Sequence, residues 1–365
     1  MSNGPRRPVM LVAPGGLADE VARLAAAAGC EPDRVTDPEL VRERWNSAPL
    51  VLLDVEAAMC SANAGLPRRD GVVLVSAAPD PEVWRSAVAV GAQHVAVLPD
   101  AEAWLVGALA DAVESPAEPG RVLAVIGGRG GAGASVLAAA VAVAAAESGR
   151  RALLVDCDAL GGGLDLALRA EETDGLRWSG LELGDGRVAA AALPAMSAST
   201  MPRLGRWGEL TVLSCDRDGP GPNGVAVRTV CATGQRAGET VVYDVPRHPC
   251  EPGTAALESA DLAVLVVPAE VRACAAATTV AMRVLRYGVA LQLVVRGPAP
   301  GGLTPGDVSR ALDLPLLAAM RPQPGLAGAL DRGALPGRSR GPLATAARQV
   351  LGVLDGSHRA PGRAA

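Results

Sequence analysis

The chain has 365 residues, 49% of them hydrophobic, which is ample for buried cores in two domains or in one large α/β domain with an appendage. Its formal charge is -5, and its basic residues, 34 in all and every one an arginine, are scattered, so the concentrated basic surface that grips nucleic acid is not indicated. With no lysine anywhere, neither this chain nor a homodimer of it can supply a compact ammonium group to any chemistry.

In chain order, residues 1–8 carry charge but lead into no apolar core with a small-residue cleavage site, which argues against a secretory signal. Short apolar runs at 9–13, 50–55, 72–76 and 94–98 predict strands, with helices between several of them, and so a small doubly wound unit. Asp54 closes one of these runs, Ser76 the next, and Leu98-Pro99 the last. That order resembles a response-regulator receiver domain, which is flavodoxin-like. Receivers place an acidic pair after the first strand to hold magnesium and a lysine before the final proline. Here those places hold Ala13-Pro14 and Leu98. A phosphorylated Asp54 would lose the metal and the ammonium that dominate such a site, so Asp54 reads as a strand-end carboxylate in a receiver-like docking module.

The run ESPAEPG over 114–120 reads as an interdomain linker, dividing a domain at 1–113 from a larger one at 121–354. The larger domain opens with an apolar strand from residue 122, the glycine-rich run GGRGGAGAS over 127–135, and an alanine-valine helix. Strand, loop and helix in that order suit a phosphate cradle: glycines let backbone N–H groups point inward and the new helix adds its positive end. The helical run 134–146 is too short and too alanine-rich to span a bilayer. The letters also satisfy the weaker dinucleotide pattern G-x-G-x-x-G at Gly128, Gly130 and Gly133, with Asp156 about 20 residues on as a ribose ligand, which would suit an NAD(P)-dependent oxidoreductase.

The downstream sequence favours the phosphate loop. Asp156-Cys-Asp158 precedes GGGLDL at 161–166; TVVYDVP at 240–246 is an apolar run closing on Asp244; further strands come at 260–268 and 291–297, then LPLLA from Leu314 and Arg321-Pro322. This series resembles the deviant P-loop ATPases of the MinD and ParA families, and with the receiver-like front it resembles a CpaE-like subgroup labelled as septum-site-determining proteins. The resemblance implies a parallel-sheet P-loop fold that binds ATP with Mg2+. Gly128, Arg129, Gly130, Gly131, Ala132, Gly133, Ala134 and Ser135 would form the cradle, Asp156 and Asp244 would lie at the nucleotide, Ser135 and Asp244 would face the metal, and Asp158 would orient the attacking water.

Three departures stand out. Arg129 falls at the family's signature lysine, and Ala134 at the lysine that contacts the β- and γ-phosphates. Losing one such donor commonly costs about 2–4 kcal/mol of transition-state stabilisation, so hydrolysis should be very slow or absent. A third departure is Val295, at the place of an asparagine that reads adenine, because valine offers no amide donor and acceptor. The roles implied are regulation of septum or Flp/Tad pilus and secretion sites, with protein partners from those machineries and homodimerisation. An active ATPase of Flp/Tad pilus or secretion-system localisation, with Arg129 or a partner's residue in the lysine's place, is the alternative.

Elsewhere, His248 and Cys250 flank Pro249 without a third ligand nearby and read as loop residues, and His94 lies on a strand face. The run 216–224 reads as a surface loop. The stretch 342–354 has one apolar side, but lacks the bulky aromatics and basic face of a membrane-binding helix, so core packing is expected; peripheral membrane contact stays open. The polar residues 355–365 read as a disordered tail. Seven widely spaced cysteines (Cys30, Cys60, Cys157, Cys215, Cys231, Cys250, Cys274) with no C-x-x-C pair point to reduced thiols in cytoplasm, with recruitment to septum or pole as the family implies.

Overall fold

The computed structural model describes residues 7–114, 119–168, 177–178, 199–200, 209–217, 219, 221–297, 301–332 and 341–356. Residues 115–118 of the expected linker, 218 and 220 of the expected surface loop, and 357–365 of the expected tail lie outside the described residues. The described residues divide into two compact units, one ending at 114 and the other starting at 119.

The first unit alternates strands and helices: β1 (Val9–Leu11), α1 (Gly16–Ala27), β2 (Asp33–Arg34), α2 (Pro38–Arg44), β3 (Val51–Leu53), α3 (Val55–Asn63), β4 (Val72–Ser76), α4 (Pro81–Val90), β5 (His94–Val97) and α5 (Glu102–Glu114). All neighbours in its sheet are parallel, in the order β2-β1-β3-β4-β5, which is the flavodoxin-like order. Helices cover both faces, so the central strands are apolar throughout. Met10, Leu52 and Val73 pack with Leu24, Leu105 and Leu109 on one side, and Val9, Val51 and Leu74 pack with Trp45 and Val83 on the other. The run read as a strand to Val55 stops at Leu53, because Asp54 caps α3: its Oδ1 accepts the Ala57 N–H at 2.8 Å. Its Oδ2 accepts the Ala13 N–H at 2.7 Å and so ties the β1–α1 loop to the same carboxylate. His94 stacks on Trp104 with ring centroids 3.6 Å apart.

The second unit holds β6 (Val122–Gly127), α6 (Ala134–Glu147), β7 (Arg151–Asp156), α7 (Leu164–Leu168), β8 (Ser199–Thr200), β9 (Glu209–Leu213), α8 (Gly224–Arg236), β10 (Thr240–Val245), α9 (Glu251–Ser259), β11 (Leu262–Pro268), α10 (Val271–Leu285), β12 (Leu291–Arg296), α11 (Pro305–Leu312), β13 (Leu316–Met320), α12 (Leu326–Leu330) and α13 (Pro342–Gly356). Its sheet runs β13-β12-β11-β6-β10-β7-β9-β8, parallel except for the short antiparallel edge strand β8. Successive side chains of β6 enter opposite cores: Val122, Ala124 and Ile126 on the side of α8 to α11, Leu123 and Val125 on the side of α6 and α13.

Helix α6 is apolar all round because it is enclosed. It lies between the sheet and α13, with Leu137, Val141 and Ala145 fully buried. The apolar side of α13 (Leu343, Ala346, Val350, Leu354) is spent in that core. Each such leucine or valine contributes roughly 1.5–3 kcal/mol of burial, which ties both helices to the sheet. Among the described residues no helix is long and apolar enough to cross a membrane.

Candidate functional site

Because β12, β11, β6, β10 and β7 are parallel neighbours, their carboxyl ends share one edge, and the chemistry-bearing residues collect there from sequence positions far apart. Asp244 pairs in register with Val125 on one side and Asp156 on the other, and Val266 lies beside Gly127.

The loop from β6 to α6 leans on β11 and α10. The Gly128 N–H donates to the Val266 carbonyl at 2.9 Å. A side chain at 128 would bring its Cβ within 2.8 Å of the Ala277 methyl, so the backbone comes this close only as glycine. Gly131 and Gly133 take left-handed φ values of 70° and 98°, which non-glycine residues adopt at a cost. Gly133 is the N-cap of α6 and brings no side-chain cap, so the first-turn N–H groups face the loop. Open space lies over Gly130 and Gly131. Ala132 is buried in the α6 core, and Ala134 is half-buried against it.

The carboxylates form a second layer. Asp244 is buried, and burial pushes its carboxyl up to about 7; a hydrogen bond from Ser135 opposes this, and the neighbouring charges of Asp156 and Asp158 add to it. The Asp156 carboxyl is likewise raised by burial, against the N–H groups that it holds. Its Oδ1 accepts from Asp158 N at 3.0 Å, and its Oδ2 accepts from Cys215 N at 3.3 Å and Leu164 N at 3.4 Å. Asp156 therefore knits together three chain segments. Asp158 closes a turn, its Oδ1 accepting the Leu160 N–H at 3.1 Å.

Behind Asp156 lies a network that sequence reading missed. The Ser214 hydroxyl lies 3.3 Å from Asp156 Oδ2 and 3.1 Å from Asp165 Oδ1. Asp165 is wholly buried yet ionised in character: burial works against its charge, but the Arg177 guanidinium at 2.6 Å holds its carboxyl below the usual range. Arg217 adds a second guanidinium at 3.4 Å, and the Trp178 indole N–H donates to the Asp156 carbonyl at 2.8 Å. Nothing local in the sequence announces these pairings, since Ser214 and Asp156 are 58 residues apart.

The cationic side of the site is Arg129. One of its terminal nitrogens donates to the Gly130 carbonyl at 3.0 Å, and the other to both carboxylate oxygens of Glu270 at 3.0 Å. Beside this pair, a cavity of about 240 Å³ is lined by Gly133, Val136, Glu270, Arg296, Met320 and Gln323. Val295 is wholly buried in the opposite core. His248 is exposed, and Cys250 is the N-cap of α9, its thiol raised by burial. Among the described residues no group of three or more His, Cys, Asp or Glu is arranged to hold a metal by itself.

A glycine cradle with left-handed turns, a hydroxyl at its end and a carboxylate on the adjacent strand define a P-loop protein of the MinD/ParA fold, preceded by a CheY-like domain. Known proteins agree on both halves. A family model described as "Rv3660c-like, CheY-like N-terminal domain" matches residues 11–120. Rv3660c of Mycobacterium tuberculosis strain H37Rv and MT3760 of strain CDC 1551 are each 46% identical over 363 residues, 98% of this chain and 100% of theirs. The chain belongs to the Rv3660c-like family. Among solved structures, it is similar to the septum site-determining protein MinD complexed with Mg-ADP from Pyrococcus horikoshii (TM-score 0.51, 19% identity, 66% of this chain and 99% of that one). It is also similar to a ParA family ATPase from Chlorobium tepidum (TM-score 0.55, 14% identity, 66% and 98%), and to a chain of the MinC:MinD cell division protein complex of Aquifex aeolicus (0.50, 20%, 67% and 99%). At such identities the likeness is one of fold.

Proposed function

We propose that the protein is a regulatory interaction protein of septum-site placement, in which a MinD-like domain keeps a phosphate cradle with little or no ATP hydrolysis, while the receiver-like domain docks protein partners. One observation carries this reading: α6 begins with Ala134 where a cation must meet the transferring phosphoryl group, and the loop's own cation, Arg129, is turned aside onto Glu270. The loop amides and Ser135 beside Asp244 fit a magnesium-bound nucleotide, which would rest on Gly128 to Ser135 with Ser135 and Asp244 on the metal side. Bound magnesium supplies charge neutralisation at the phosphates. This chain's residues position the ligand but bring no ammonium to the charge that builds during transfer. Asp158 remains the candidate for orienting water, in competition with the turn that it closes.

Septum placement is preferred to pilus assembly by analogy with two similar structures, one a septum site-determining protein by name and one a MinC:MinD cell division protein complex. The domain would act through homodimerisation and through proteins of the division machinery, in cytoplasm with recruitment to septum or pole. Imaging a tagged copy through septation, with cell lengths measured on overexpression, tests the reading. Septal or polar foci with lengthened cells are expected; diffuse label with unchanged lengths contradicts it.

A further inference from the structure

Glu270 sits two residues beyond β11, at the N-cap of α10, with its backbone N–H on the Pro268 carbonyl at 2.7 Å. A carboxylate at that place has a natural seat on its own helix, accepting the first-turn N–H groups and meeting the positive end of the helix dipole. Glu270 does not take that seat: it makes no side-chain cap bond, and reaches across to Arg129, 141 residues earlier in the chain. Arg129 is imperfectly served in return, since its Nε is buried without a partner. The pair is partly open to solvent, with side-chain exposures of 34% and 43%, so it is held weakly and can be exchanged.

We propose that Glu270 is an internal anion that occupies the phosphate loop's guanidinium and gates it against phosphate ligands. The gate rests on the phosphate-cradle reading of the loop. An arriving phosphate competes with the carboxylate for a forked donor that suits either oxyanion. On exchange, Arg129 turns to the ligand, its Nε gains an acceptor, and Glu270 falls back to cap α10. Each arrangement satisfies a different set of donors, which makes the pair a two-position element biased by ligand. Glu270 also lines the cavity beside Gly133 and Arg296, so its release adjusts the wall of the pocket as well as the loop. The ligand class is a di- or triphosphate, or inorganic pyrophosphate as its minimal form.

The test is calorimetric titration of the full-length chain with inorganic pyrophosphate, comparing the natural sequence, Glu270→Gln, Glu270→Ala, the double variant Arg129→Gln/Glu270→Gln, and Ala134→Lys. Both single Glu270 variants should bind about tenfold tighter than the natural chain, and the double variant should lose that gain. Binding by Ala134→Lys with no gain in either Glu270 variant overturns the gate and leaves the cradle standing. Failure of every variant to bind, Ala134→Lys included, overturns the cradle and the gate with it.

Discussion

Glu239 illustrates what a single buried carboxyl does to this molecule. It stands immediately before β10, at the end of the sheet away from the phosphate loop, 3% exposed, with one carboxylate oxygen that has no hydrogen-bond partner. Burial pushes its carboxyl up to about 7 from the usual 4.5, with Arg151 opposing and Glu209 reinforcing the rise. A carboxyl raised on folding favours the native state when protonated. Its contribution is complete below the unfolded value near 4.5 and is lost as pH rises through about 7. Glu239→Gln should therefore exceed the natural chain in stability by on the order of 3 kcal/mol at pH 8 and by almost nothing at pH 4, read from urea midpoints. An equal difference at both pH values contradicts the assignment. Residues of this kind show where sequence reading stops. The places of Arg129, Ala134 and Ser135 at the turn from β6 to α6, and of Asp244 near the end of β10, were legible, the first three from the glycine-rich run between an apolar strand and a helix and the last from the apolar run that it closes. Glu239, Glu270, Ser214 and Arg177 act through partners that only the folded sheet brings near, and no local pattern marks them.

Elements show the same division between local and non-local information. Short apolar runs mark most of the strands, but β3 ends two residues early because Asp54 serves as the N-cap of α3 and Val55 is its first helical residue. An apolar run followed by aspartate has two readings, strand end or helix start, and the hydrogen bonds decide between them. With Oδ1 on Ala57 N and Oδ2 on Ala13 N, both oxygens of Asp54 are engaged in holding α3 and the β1–α1 loop. Asp54→Ala should destabilise the full-length chain's first unit by about 1–2 kcal/mol, seen as an earlier unfolding transition. Incubation with acetyl phosphate and magnesium should add no mass at Asp54. Stoichiometric phosphorylation there contradicts this structural role. The edge strand β8, only two residues long, carries too little pattern to be read from sequence at all.

At the scale of the whole molecule, alternating strands and helices announced two α/β units, and the strand orders make the units distinct: 2-1-3-4-5 in one, an eight-stranded sheet with the phosphate loop beside its central strand in the other. The parallel arrangement explains why a site can be assembled from β6, β7, β10, β11 and β12 although they span residues 122–296. It also explains why the site can keep its shape while its chemistry changes. The loop is backbone, fixed by the sheet and by the contact between Gly128 and α10, whereas a cation at its end would be one side chain, and on the proposed reading its loss leaves the fold undisturbed. An architecture shared with nucleotide-driven proteins is thereby compatible with a role carried by binding and docking rather than by turnover. Phosphate release from magnesium-ATP by the purified full-length chain, set against a Ser135→Ala control, tests this most directly. Release no faster than the control is the expected result, and release at an ordinary enzymatic rate of roughly one per second or more would contradict it.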